Sequence, residues 1–161
     1  MAAREEHQRL DLAQAAKTLL EECRMVLPGI QAIFGFQLTT VFQQAFSEKL
    51  DKGQQLLHVA AMTLVALAVT LVMTPAAYHR SHGGRDVTDT FIKVSSVLLL
   101  VGMVVLASGL CLDVFVIARL VFGSTAAGAT LALAMLAVML FFWLIFTRLP
   151  VLHRAIARAR G

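Results

Sequence analysis

Charge is scarce in this 161-residue sequence, and what there is stands in clusters. Only 15% of the residues are Asp, Glu, Lys or Arg. None falls between Met25 and Ser47, Gly53 and His79, Val94 and Leu112, or Leu120 and Thr147. A soluble domain of this size needs far more polar surface to cover its core, so that class is excluded. Each gap is near the length that crosses a hydrocarbon layer of about 30 Å at 1.5 Å per residue. A charge at the bilayer centre costs roughly 3 kcal/mol on insertion scales, so burial in lipid imposes this pattern.

Other absences narrow the function. There are two cysteines, Cys23 ahead of the first apolar stretch and Cys111 deep in the third. That placement gives neither a disulfide framework nor a zinc site, and both read as small packing residues. No HExxH, no Ser-His-Asp set and no pair of carboxylates within one span occurs, so no enzyme and no cofactor is expected. Gly83-Gly84 is followed by no GK[ST], and His79, His82 and Asp86 fit no common metal spacing. The first 24 residues interleave Arg4, Arg9, Lys17 and Arg24 with acids and hold no short apolar core before a cleavage site, so the whole chain is read as mature. The first and second pairs of spans share no repeat, which weighs against an inverted-repeat transporter.

What is present is apolar: 58% of the residues, with a mean hydropathy of +0.77. The sequence predicts an all-α integral membrane four-helix bundle, homo-oligomeric, with an N-terminal amphipathic helix. Residues 1–28 are the cytoplasmic amphipathic segment, where Leu10, Ala13, Leu19, Leu20 and Leu27 form much of an apolar stripe. Pro28-Gly29 is expected to interrupt or kink the path into the membrane. Residues 29–149 carry spans at about 30–46, 56–76, 94–120 and 126–146, the second ending near Pro75. Gly123-Ser124-Thr125 predicts a tight turn with a capping hydroxyl. Phe141, Phe142 and Trp143 suit an interfacial aromatic belt, and 150–161 form a basic tail. The termini and the 78–93 loop hold 11 Lys and Arg against 3 on the other side, so both termini are expected in the cytoplasm.

Four constellations are candidates for function. In span one, Gln37, Thr40, Gln44 and Glu48 fall within about 80° of one another on a helix. Amides in lipid need a partner, so this stripe faces protein or water. It either glues helices together or lines a hydrated path around a symmetry axis. Asp113 is the acid inside an apolar span; Ser95, Gly102 and Gly109 precede it at spacings of 7, 7 and 4 on one face. It is either a structural partner, with Arg119 or a neighbouring span, or an ion or proton site. Arg80, Arg85 and Lys93 in the loop, with Arg148, Arg154 and Arg158 in the tail, are candidates for anionic lipid headgroups rather than nucleic acid. His58, at the start of span two, reads as a buried or interfacial hydrogen-bonding residue.

Pro28, Gly29, Gln31, Phe34, Phe36, Leu38 and Thr39, followed by Pro75, Tyr78, His79 and Arg80, spell PG-x-Q-x-x-F-x-F-x-L-T and P-x-x-Y-H-R. In these motifs the chain resembles a family of short bacterial four-span membrane proteins of unknown function. The resemblance covers the first half well and the second only as two apolar spans. Gln37 and Asp113 depart from it. It implies the topology and a bacterial plasma membrane, and no activity. Three functions stay open on the sequence: a homo-oligomeric ion or small-solute channel lined by span one, an accessory or scaffolding protein, and a proton-coupled exchanger using Asp113.

Overall fold

The computed structural model describes residues 2–81 and 88–146. Among them there is helix and no strand. The elements in order are α1 (Ala2–Val41), α2 (Gln44–Lys49), α3 (Lys52–Ser81), α4 (Asp89–Phe122) and α5 (Thr125–Leu140), which runs on into a π-helical turn at Phe141–Ile145. Three stretches, Lys52–Ser81, Asp89–Phe122 and Thr125–Leu144, are long and apolar enough to cross a membrane.

A seven-residue repeat builds the core. Along α3 the buried residues are Gln54, His58, Ala61, Val65, Ala68, Val72 and Pro75, alternately four and three apart. On α1, Ala16, Cys23, Ile30 and Gln37 are buried at intervals of seven. On α4 the same interval joins Ser95, Gly102, Gly109 and Val116. A period of 3.5 residues keeps one narrow face of each helix against its neighbours over a long run. Leu19, Cys23 and Ile30 of α1 meet Val65, Ala68 and Val72 of α3 and Leu106 of α4 in one apolar cluster.

This seam corrects the reading of the N-terminal segment. Pro28 lies inside α1, and the helix continues through it to Val41. Proline removes one backbone hydrogen bond, but Cys23 and Ile30 on either side are held in the same cluster. Leu19 and Leu27 of the lead-in's apolar stripe thus pack on α3 and α4, as part of one helix with the first span, while Leu10 and Ala13 stay exposed. Pro75 is likewise interior to α3, which ends at Ser81. The expected first span ends early: α1 stops at Val41, a turn follows, and α2 begins at Gln44. Burial also lifts the Cys23 thiol above its ordinary range, consistent with a packing role.

α3 and α4 approach closely because two seam positions lack side chains. A Cβ on Gly109 would sit 3.1 Å from the carbonyl oxygen of Ala61, and one on Gly102 would sit 3.2 Å from Val72 Cγ2. α5 packs on α4, where Gly128 lies against the backbone of Phe115. Gly123 adopts φ 64°, its N–H donating to Arg119 O, and the Ser124 hydroxyl accepts from the N–H of Ala127 at 3.3 Å. The sequence predicts this turn correctly.

The start of α3 is fixed twice over. Asp51 Oδ1 accepts from the N–H of Gln54 at 2.8 Å, and Gln54 Oε1 accepts from the N–H of Asp51 at 3.0 Å, a reciprocal cap. The other oxygen of Asp51 pairs with Arg119 of α4 at 3.2 Å. Asp51→Ala removes cap and ion pair together and is expected to cost about 1–2 kcal/mol, against about 0.5 kcal/mol for Arg119→Ala, whose partner is exposed. Thermal unfolding of the two variants in detergent checks the ranking.

Candidate functional site

Three polar residues, one from each of three helices, meet at one point of the seam. α1 brings Gln37, α3 brings His58 and α4 brings Asp113. The Gln37 amide nitrogen donates to Asp113 Oδ2 at 2.5 Å. His58 Nδ1 lies 2.9 Å from Asp113 Oδ1, and His58 Nε2 lies 3.1 Å from the backbone oxygen of Gln37. Gln37 and His58 are buried, at 5% and 7% exposure, and Asp113 is partly covered. One face of the imidazole is closed by Phe46 of α2, edge-on at a ring separation of 5.4 Å.

The 3.1 Å contact of Nε2 with a carbonyl, which only accepts, is a hydrogen bond in the Nε2–H form of the ring. In that form a hydrogen bond from Nδ1 to the carboxyl needs one further hydrogen, on the ring or on the carboxyl. As imidazolium and carboxylate, or as neutral imidazole and carboxylic acid, the pair has no net charge. That allows two ionisable groups to sit among apolar helices without the cost of an uncompensated charge. Removing the shared proton leaves a net negative charge and two lone pairs 2.9 Å apart. Gln37 Oε1 is buried with no hydrogen-bond partner among the described residues. The amide orientation is thus set by its donor nitrogen facing Asp113.

An open cavity of about 390 Å³ adjoins the cluster, with Phe36, Phe46, Leu50 and Ile117 supplying apolar walls and Thr40 a hydroxyl edge. No third His, Cys, Asp or Glu among the described residues joins His58 and Asp113, so the cluster is short of a metal-ligand set.

The sequence candidates fare differently. Gln37 and Asp113, placed in separate constellations by sequence, bond to each other. Arg119 pairs with Asp51 and not with Asp113. The single polar stripe of span one does not persist, because the turn after Val41 ends the helix that would align it. Thr40 is half-buried and donates to the Phe36 carbonyl; Gln44 and Glu48 are exposed on α2 and bond each other at 2.6 Å. Arg80 is exposed in the last turn of α3, and Lys93 pairs with Asp89 one turn away. Arg85, Arg148, Arg154 and Arg158 lie outside the described residues. His58 is the residue whose role sequence reasoning understated. Its position in the 54, 58, 61, 65 series is the signal that puts it on the seam.

The chain is therefore an all-helical protein in which long apolar helices enclose a polar triad of Gln, His and Asp. It belongs to DUF6328, a family of unknown function whose model matches residues 4–147. No curated protein and no solved structure matches it significantly. The family match agrees with the resemblance to an uncharacterised family.

Proposed function

We propose that this chain is a multi-pass protein of the bacterial plasma membrane whose His58–Asp113 pair takes up and releases a proton, coupled to movement of a small cation or solute. The supporting observation is the 2.9 Å contact of His58 Nδ1 with the Asp113 carboxyl beside an open cavity. Such a pair exchanges charge state at low cost when a cation arrives: the proton leaves as the cation enters, and the site stays neutral. The charge-free run from Met25 to Ser47 supports a fourth crossing by the C-terminal part of α1. The excess of Lys and Arg at the termini and in the 78–93 loop supports cytoplasmic ends. Arg80 and the basic tail suit anionic headgroups. The outward face of α5, with Leu131, Leu133 and Val138 exposed, is where a homo-oligomer would form.

Two other readings compete. A channel lined by span one needs its polar stripe around an axis, whereas Gln37 points into its own bundle. A scaffolding protein would use the triad only to hold α1 in place, and the three hydrogen bonds joining α1, α3 and α4 favour it.

The test is proton flux into liposomes holding purified protein and a trapped pH dye, under an imposed pH gradient with and without external monovalent cation. Cation-dependent flux is expected at least about tenfold above empty liposomes, falling to that background in Asp113→Asn, which removes the carboxylate that takes the cation in place of the proton. Gln44→Leu is expected to leave it unchanged. Loss in Gln44→Leu with full flux in Asp113→Asn would transfer the function to a channel. Silence from folded, correctly reconstituted protein would leave the scaffold.

A further inference from the structure

The motif Tyr78-His79-Arg80 plays no part in the proton site. Arg80 lies 22 residues beyond His58 on α3, about 33 Å along a helix and so about one hydrocarbon thickness away. There Tyr78 stacks on Phe91 of α4 at 5.4 Å, and the His79 ring lies 6.0 Å from the same phenyl, fixing the end of α3 against α4. On its other side α3 shares a cavity of about 300 Å³ with α1. Its walls are apolar, with Leu27, Met73 and Ala76 among them, while Arg24 of α1 and His79 and Arg80 of α3 supply the polar lining.

Two guanidinium groups on different helices line this cavity, and no carboxylate does. Neither Arg24 nor Arg80 forms an ion pair among the described residues. Two cationic side chains offered to one cavity without a carboxylate suit an anion, and a guanidinium fork matches phosphate oxygens. The apolar walls call for something else: hydrocarbon. We infer that the α1–α3 cavity is a specific site for one anionic phospholipid, its phosphate held by Arg24 and Arg80 and an acyl chain lying along Leu27 and Met73. The shared chemistry is a phosphate, and the walls favour the lipid as its source over the free ion. This goes beyond general attraction to the inner leaflet, because it names a two-helix pocket that includes Arg24. It does not depend on proton coupling at Asp113.

The test uses the full chain, delipidated in a neutral detergent and titrated with phosphatidylglycerol, phosphatidylcholine or inorganic phosphate. Thermal stability and native mass spectrometry report binding. Phosphatidylglycerol is expected to bind as one tight equivalent and raise Tm by about 5 °C near saturation. Phosphatidylcholine and inorganic phosphate are expected to do neither. Arg24→Gln and Arg80→Gln each weaken phosphatidylglycerol binding about tenfold, the loss of one charge-assisted contact, and together they remove the tight equivalent. Lys93→Gln, across the helix pair, leaves it intact. Equal stabilisation by phosphatidylcholine, or tight binding that survives in the double variant, overturns the site. The same shift from inorganic phosphate alone overturns the lipid assignment. Should the glutamine variants fail to fold, Arg24→Lys with Arg80→Lys keeps the charge and loses the fork. A several-fold weakening is expected, and unchanged affinity would overturn guanidinium recognition.

Discussion

Asp113→Ala is expected to lower the stability of the folded protein by about 3 kcal/mol, because it strands two buried polar atoms at once. Gln37 Nε2 and His58 Nδ1 both turn to this carboxyl, and Gln37 Oε1 already lacks a partner. Water entering from the adjoining cavity offsets part of the loss, which keeps the figure below that of a fully enclosed pair. Asp113→Asn keeps the shape and an acceptor for Gln37, so about 1 kcal/mol is expected there. Unfolding in mixed micelles, followed by far-UV circular dichroism, separates the two. An Asp113→Ala protein within about 0.5 kcal/mol of the parent would show that the cluster contributes little to holding the helices together. The contrast bears on function as well: the asparagine variant is expected to fold yet lacks the carboxyl of the His58–Asp113 pair, so a flux defect in folded protein is not a folding defect.

The second large effect is at Gly109. Its missing Cβ would lie 3.1 Å from a backbone oxygen of α3, and backbone cannot swing aside. Gly109→Ala is expected to cost about 1–3 kcal/mol, and Gly109→Leu to separate α3 from α4 and abolish the folded state. Gly102→Ala is expected to cost less, since its nearest neighbour is a Val72 methyl, a side-chain atom with some room to shift. Gly123→Ala is a different case: nothing crowds it, and the cost, about 1 kcal/mol, comes from its positive φ. Yields of folded protein and melting temperatures across the four variants give the order. A Gly109→Leu protein as stable as the parent would refute the close α3–α4 approach.

Much of the fold is legible in the sequence because lipid-length apolar runs leave few alternatives. The three long apolar helices, the Gly123-Ser124 turn and the small-residue face of α4 all follow from spacing and residue size. Pro28 misleads, because local backbone preference argues for a break that packing at Cys23 and Ile30 overrides. The stripe through Gln37, Thr40, Gln44 and Glu48 misleads for the converse reason. It presumes a helix that continues, and the chain turns at Phe42 and Gln43. The triad itself is long-range: 21 and 55 residues separate its hydrogen-bonding members along α1 to α3 and α3 to α4. Local spacing carries no such distance. The seven-residue phase does place Gln37, His58 and Asp113 on inward faces, but only the helix pairing brings them to one level.

α1 is a single rod from Arg24 to Gln37, 13 residues or about 20 Å of uninterrupted helix. Its two ends are chemically unlike: the guanidinium lines the cavity shared with α3, and the amide bonds to Asp113 of α4. A tilt of about 5° pivoting on the arginine end would carry the amide about 1.7 Å, enough to break a hydrogen bond. A tilt of that size would leave the Asp113 carboxyl with His58 alone of its two contacts.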